Sequence, residues 1–191
     1  KNVKIPPAAL GAIDTFRFEE RALLSHTADL VAAAKFDEAL ALVAARENSF
    51  WIDRDVGGRK AQWEAARRMA ELGSLAAKVR EAVKKPNGNP AAWLEAYTTK
   101  DGWYRLDQAQ RRLETLVATL YEEPDDRALG VARRAYDDAC HAMAEGFTKA
   151  LVKSGWNVPG ALHQTCVYSE VVTERPKPVA YFFVDAMRFE M

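Results

Sequence analysis

Residues 177–191 read KPVAYFFVDAMRFEM, and this stretch decides whether the chain is read as helical throughout or as helical with a β continuation. Val179–Val184 are consecutive apolar residues, mostly β-branched or aromatic, entered through Pro178 and closed by the carboxylate of Asp185. Such a run reads as a strand. Being apolar on both faces, it reads as a central strand of a covered parallel sheet rather than one arm of an exposed hairpin. Pro178 at its start removes no internal ladder bond. Just upstream, TCVYSEVV (165–172) has the same β-branched and aromatic character and is expected as a second strand, set apart by Pro176 and Pro178.

Further upstream the pattern is different. From Phe16 to about Gly155 the chain reads as helix after helix. The first is expected over Arg17–Ala34, capped by Asp14 or Thr15, with Glu19 and Glu20 at the positive end of its dipole. A second, Phe36–Glu47, follows a short break at Lys35 and carries Leu40, Val43 and Ala44 on one face. SFWIDRDVGG (49–58) reads as a connector. Arg59–Val83 carries Met69, Leu72, Ala76, Val79 and Val83 at steps of three and four. Asn89-Pro90 starts another helix, with Asn at the cap and Pro at the first helical position. Asp101 is expected to cap the next, whose stripe is Trp103, Leu106, Leu113, Leu116, Val117 and Leu120. Pro124-Asp125-Asp126 opens the last, with a stripe from Leu129 through Tyr136, Cys140 and Met143 to Leu151, and Lys149, Lys153 and Gly155 as stop signals. The expected fold is therefore mainly α: stacked antiparallel helices over residues 1–157, then the first strands of an α/β domain over residues 158–191.

The bulk properties narrow the function. Hydrophobic residues make up 49% and charged residues 28% of the 191, a globular rather than a disordered balance. The 27 basic and 27 acidic side chains cancel, which argues against a general attraction to nucleic acid or an anionic membrane. No apolar run approaches the roughly 20 residues that span a bilayer, and KNVKIPPAAL (1–10) has no signal-peptide core. Two cysteines, Cys140 and Cys166, make no disulfide framework. The expectation is a cytoplasmic chain that forms a segment of a longer protein.

Asp185 is the principal candidate site residue. In open α/β sheets ligands bind outside the carboxyl ends of the strands, which is where it would lie. A carboxylate beside a dry strand needs a cation, and either Arg188 or a metal can supply one. A structural Asp that caps the strand end is the competing reading.

VAYFFVDAMRFEM (179–191) resembles the opening strand of PglZ domains, which belong to the alkaline phosphatase superfamily: an apolar strand, then Asp, a small residue, a variable one, Arg and an aromatic, here Asp185 to Phe189. ALVAARENSFWIDRD (41–55) and RAYDDACHAMAEGF (134–147) look like the helical region that precedes that domain. The resemblance implies a parent that is a metal-dependent phosphohydrolase of BREX, a prokaryotic bacteriophage-defence system. It implies Asp185 as a ligand of one of two divalent metals, commonly zinc, and other BREX proteins as partners. The family's nucleophile and remaining ligands would fall beyond Met191, so this chain alone is expected to hold no metal tightly and to turn nothing over. The alternative from a different class is a helical adaptor that contacts other defence proteins without catalysis.

The other constellations are weaker. His163 and Cys166, spaced H-x-x-C, are half a zinc site. Cys140 falls on an apolar stripe and reads as a core residue, with His141 directed elsewhere. Gly57-Gly58 lacks the Lys-Ser/Thr of a P-loop. Basic doublets such as Arg67-Arg68 and Arg111-Arg112 raise nucleic-acid contact, but acidic doublets balance them and favour solvated mixed-sign faces. Five tryptophans are expected at helix joints, rings packed and N–H groups wet, or on a docking surface. The uncovered strand at 179–184 is expected to promote self-association.

Overall fold

The structure, a computed structural model, describes residues 6–10, 16–54, 58–85, 88–182 and 188–189. Seven α-helices occur among the described residues: α1 (Arg17–Ala32), α2 (Phe36–Arg46), α3 (Phe50–Asp53), α4 (Arg59–Ala82), α5 (Pro90–Thr98), α6 (Tyr104–Val117) and α7 (Asp126–Lys153). A 3-10 turn at Pro7–Ala9 precedes them.

α4 is the hub, packed against α1, α2, α3, α6 and α7. Its sequence explains why one helix can take so many neighbours. Ala65, Ala66, Ala70, Ala76, Gly73 and Ser74 are small, so surrounding helices approach closely around much of its circumference. Trp63, Met69, Leu72 and Val79 fill the spaces between. The larger core joins these to Val31 of α1, Phe36 of α2, Leu106 and Leu113 of α6, and Leu129 and Ala132 of α7. A smaller cluster under the first turn combines Leu10, Leu23, Val43, Ile52 and Trp63. Burying each large apolar side chain contributes about 1.5–3 kcal/mol, which offsets the entropy of ordering the helices.

Several local signals operate as the sequence suggests. Asn89 caps α5 by accepting from the Ala91 N–H at 3.0 Å, and Pro90 follows at the first helical position. Asp125 caps α7 by accepting from the N–H groups of Arg127 and Ala128, both at 3.0 Å. α7 ends at Lys153, with Gly155 in the left-handed region at φ 65°. Others differ. Asp14 and Thr15 lie outside the described residues; α1 begins after Phe16, whose N–H donates to the Glu19 carboxylate at 3.2 Å. Asp101 does not cap α6. It sits in the preceding turn at φ 64° and pairs with Arg105 at 2.8 Å. The expected connector at 49–58 contains α3, one turn that seats Ile52 in the smaller core.

The expected β continuation is overturned. No strand occurs among the described residues, which are helical wherever they are regular. Thr165–Val172 instead forms a 3-10 turn at Gln164–Cys166 and one turn of π-helix at Tyr168–Val172. Local bonds hold this conformation: Ser169 Oγ donates to the Cys166 carbonyl at 3.1 Å and Thr173 Oγ1 to the Ser169 carbonyl at 2.5 Å. Val179–Phe182 is irregular, and 183–187 lie outside the described residues. β-branched and aromatic residues favour a strand only where a neighbouring strand supplies ladder bonds and covered faces. Neither stretch has such a neighbour among the described residues.

Candidate functional site

Asp185, the expected metal ligand, lies outside the described residues. Arg188 is described and exposed. Phe189 turns back onto the helices: its ring meets Tyr104 edge-on at 5.3 Å and Tyr97 at 6.0 Å. Phe189 thus lies against the α5–α6 corner.

That corner is held by a carboxylate. Asp107, one turn into α6, accepts from the Tyr97 hydroxyl at 2.8 Å and the Tyr136 hydroxyl at 2.7 Å, joining α5, α6 and α7. Burial first, then the bond to Asp107, pushes the Tyr136 hydroxyl well above the ordinary tyrosine range. It therefore stays protonated and acts as a donor, not as a base or nucleophile. Cys140 lies one turn further along α7, half-buried against the core as its stripe position suggested, and burial pushes its thiol upward. Beside the Tyr136 hydroxyl, a thiol pushed upward in this way does not supply a reactive thiolate. Trp93 and Trp103 meet edge to face at 5.5 Å beside this corner, at the helix joint expected of them.

A second polar node lies inside the smaller core. Glu20 and Arg46 form an ion pair with side chains 1% and 4% exposed. Ser49 Oγ donates to Glu20 Oε1 at 2.6 Å, and Trp63 Nε1–H donates to Glu20 Oε2 at 3.0 Å. Four elements, α1, α2, α4 and the start of α3, are pinned to one carboxylate. Glu20 does lie in the first turn of α1, as the sequence reading placed it, but it is buried and paired; the Trp63 N–H, expected in water, is corrected to a buried donor. The sequence did contain a signal: Glu20, Leu23, Thr27 and Val31 share one helical stripe, and all are buried. A cleft of about 630 Å³ opens beside this node, crossed by the 3.0 Å pair of Arg67 with Glu47.

The histidines contribute no metal centre among the described residues. His163 Nδ1 lies 2.7 Å from Thr165 Oγ1 in an exposed turn, and Cys166 is half-buried nearby. His141 is exposed. No group of three or more His, Cys, Asp or Glu side chains able to hold a metal occurs among the described residues.

Large apolar side chains are left exposed at both ends of the chain. Phe16 and Phe18 stack at 5.7 Å, and Phe50 meets Trp51 edge-on at 5.1 Å with Arg54 over its ring. The Glu20–Ser49 bond draws these two pairs toward one end of the bundle. After α7, Trp156 is 68% exposed, Tyr168 64% and Phe182 82%. Trp156 is thus not at a helix joint.

Among the described residues these features define an all-α bundle around one hub helix, pinned by a buried carboxylate, Glu20, and a half-buried one, Asp107, and bearing exposed aromatic side chains. No protein-family model, curated protein or solved structure matches the chain. No helix among the described residues is long and apolar enough to cross a membrane.

Proposed function

We propose that the chain is a helical protein-contact module of a PglZ-type phosphohydrolase of the BREX phage-defence system, with hydrolysis carried elsewhere in the parent. The observation that carries the contact role is the set of exposed aromatic side chains, above all Trp156, Tyr168 and Phe182 after α7. Aromatic surface of this size is costly to leave in water, and aromatic residues are the usual anchors of protein interfaces. The two polar nodes serve the same end. Their carboxylates are used internally to hold helices, and a rigid frame lowers the entropic cost of docking. The assignment to a PglZ parent, with zinc held partly by Asp185, rests on the resemblance of Asp185–Phe189 and the two helical stretches. The partners are other BREX proteins, and a second copy of the chain competes for the same exposed aromatics.

The test compares the complete parent with a Trp156→Ala, Tyr168→Ala, Phe182→Ala triple variant. Co-expressed BREX proteins are expected to co-purify with the wild type and not with the variant, while both hydrolyse a chromogenic phosphodiester equally. The isolated chain is expected to show no turnover with zinc or manganese. Turnover by the isolated chain that vanishes on Asp185→Ala would overturn the division of labour. Undiminished co-purification of the triple variant would overturn the contact role.

A further inference from the structure

Between α4 and α6 runs a furrow made of two adjoining clefts of about 570 and 290 Å³, which share Arg68, Gln108 and Arg112. Its apolar surface comes from Leu40, Leu75, Ala109 and Leu116. Five cationic side chains line it against two carboxylates, Glu64 and Glu71, and one of the five, Arg105, is paired with Asp101. Both carboxylates pair with Arg68, at 2.7 and 3.1 Å. Lys78 and Arg112, by contrast, are exposed and make no ion pair among the described residues. In a chain whose net charge is zero, this furrow holds an unbalanced positive charge above an apolar base.

We infer that the α4–α6 furrow binds an acidic amphipathic helix of a partner protein, its apolar stripe against Leu75 and Ala109 and its carboxylates against Lys78 and Arg112. The inference rests on the protein-contact reading above and adds a second surface to it. Three observations select this occupant. The base is apolar, as an amphipathic helix requires and a phosphate backbone does not. No aromatic side chain lines the furrow, so bases would have no platform to stack on. Lys78 and Arg112, exposed and without an ion pair among the described residues, can meet the carboxylates of such a helix, while Glu64 and Glu71 are already paired with Arg68. The length also suits: Arg105 to Leu116 on α6 spans roughly 16 Å at about 1.5 Å per residue, or about three turns of a docked helix.

The experiment uses a fluorescein-labelled peptide of about five helical turns, with Leu at helical spacing and Glu on both flanks. Fluorescence anisotropy at low salt is expected to show binding that weakens as salt rises. A Lys78→Glu, Arg112→Glu double variant is expected to lose about tenfold or more in affinity while its thermal melt is unchanged, because both side chains are exposed. A peptide of the same composition with the Leu spacing scrambled is expected not to bind, nor are single-stranded or duplex oligonucleotides expected to compete. Absence of peptide binding, equal binding by the double variant, or tighter binding of an oligonucleotide would each overturn the inference. So would a dimer of the wild-type chain that dissociates in the double variant, since a second copy would then be the occupant. These outcomes leave Trp156, Tyr168 and Phe182 untouched, so co-purification through those residues separates failure of the furrow from failure of the contact role.

Discussion

Gly73 sits in the middle of α4, where glycine is the poorest ordinary helix former, and the reason is steric. A Cβ there would overlap the ring of Phe36, which lies directly on the α4 backbone. Gly146 in α7 accommodates the ring of Trp93 in the same way. Two effects oppose each other in Gly73→Ala. The helix gains about 1 kcal/mol in propensity. Overpacking against a ring that is 8% exposed costs about 1–3 kcal/mol, because the surrounding core cannot yield freely. The expected result is net destabilisation of up to about 2 kcal/mol by these same terms, read as a lower denaturant midpoint with an unchanged slope. Adding Phe36→Leu should make the alanine less harmful than it is alone. A more stable Gly73→Ala single variant would show that the ring moves aside without cost.

At the scale of elements, α7 depends on acids at its start and side. The Asp125 carboxylate caps it, and the bond from Arg127, followed by those from the backbone, holds that carboxylate below its ordinary range. Glu114 of α6 receives Arg133 of α7 through two bonds, 2.9 and 2.6 Å, and this pairing lowers Glu114 likewise. Both groups have folded values depressed relative to the unfolded chain. Their contribution is therefore present above the ordinary values, 3.8 and 4.5, and is lost as the pH falls through the folded ones. Both are partly exposed, so solvent screening keeps each effect modest. Asp125→Ala should cost about 1 kcal/mol near neutral pH. The gap between wild type and variant should narrow as the pH falls through the acid range, because the protonated cap no longer accepts as strongly. Urea titrations across that range check it; a gap that widens on acidification would contradict the cap assignment.

At the scale of the molecule, the two apolar clusters draw their buried members from Leu10 to Ala139, and none from the described residues after α7. Helices of this length are marginal alone and gain their stability from packing, so the part that contains the packing should fold by itself. A chain ending at Val158 is expected to keep a cooperative helical melt in circular dichroism, with a midpoint close to that of the complete chain. It should also scatter less light at high concentration, since Tyr168 and Phe182 go with the removed segment. Loss of the cooperative melt would mean that the Phe189 contact with Tyr97 and Tyr104 is structural support rather than a contact with a finished surface.

What the sequence by itself determined was local. The starts of α5 and α7, the end of α7 and the stripes of Leu106, Leu113, Leu129 and Ala132 follow from bonds and side-chain spacings within a few residues, so single stretches specify them. The helical body was legible for that reason. The C-terminal stretch was not, because a strand is defined by pairing with a distant partner, and the apolar run at Val179 satisfied propensity without the ladder that makes propensity count. Of the polar nodes, the sequence offered only the place of Glu20 on a buried stripe. That its carboxylate meets Ser49 and Trp63, 29 and 43 residues away, and that Asp107 gathers hydroxyls from α5 and α7, was decided by how helices cross the hub. Buried polar groups must find partners wherever packing brings them, and packing is a property of the assembled bundle, in which small residues on α4 let five helices share one axis.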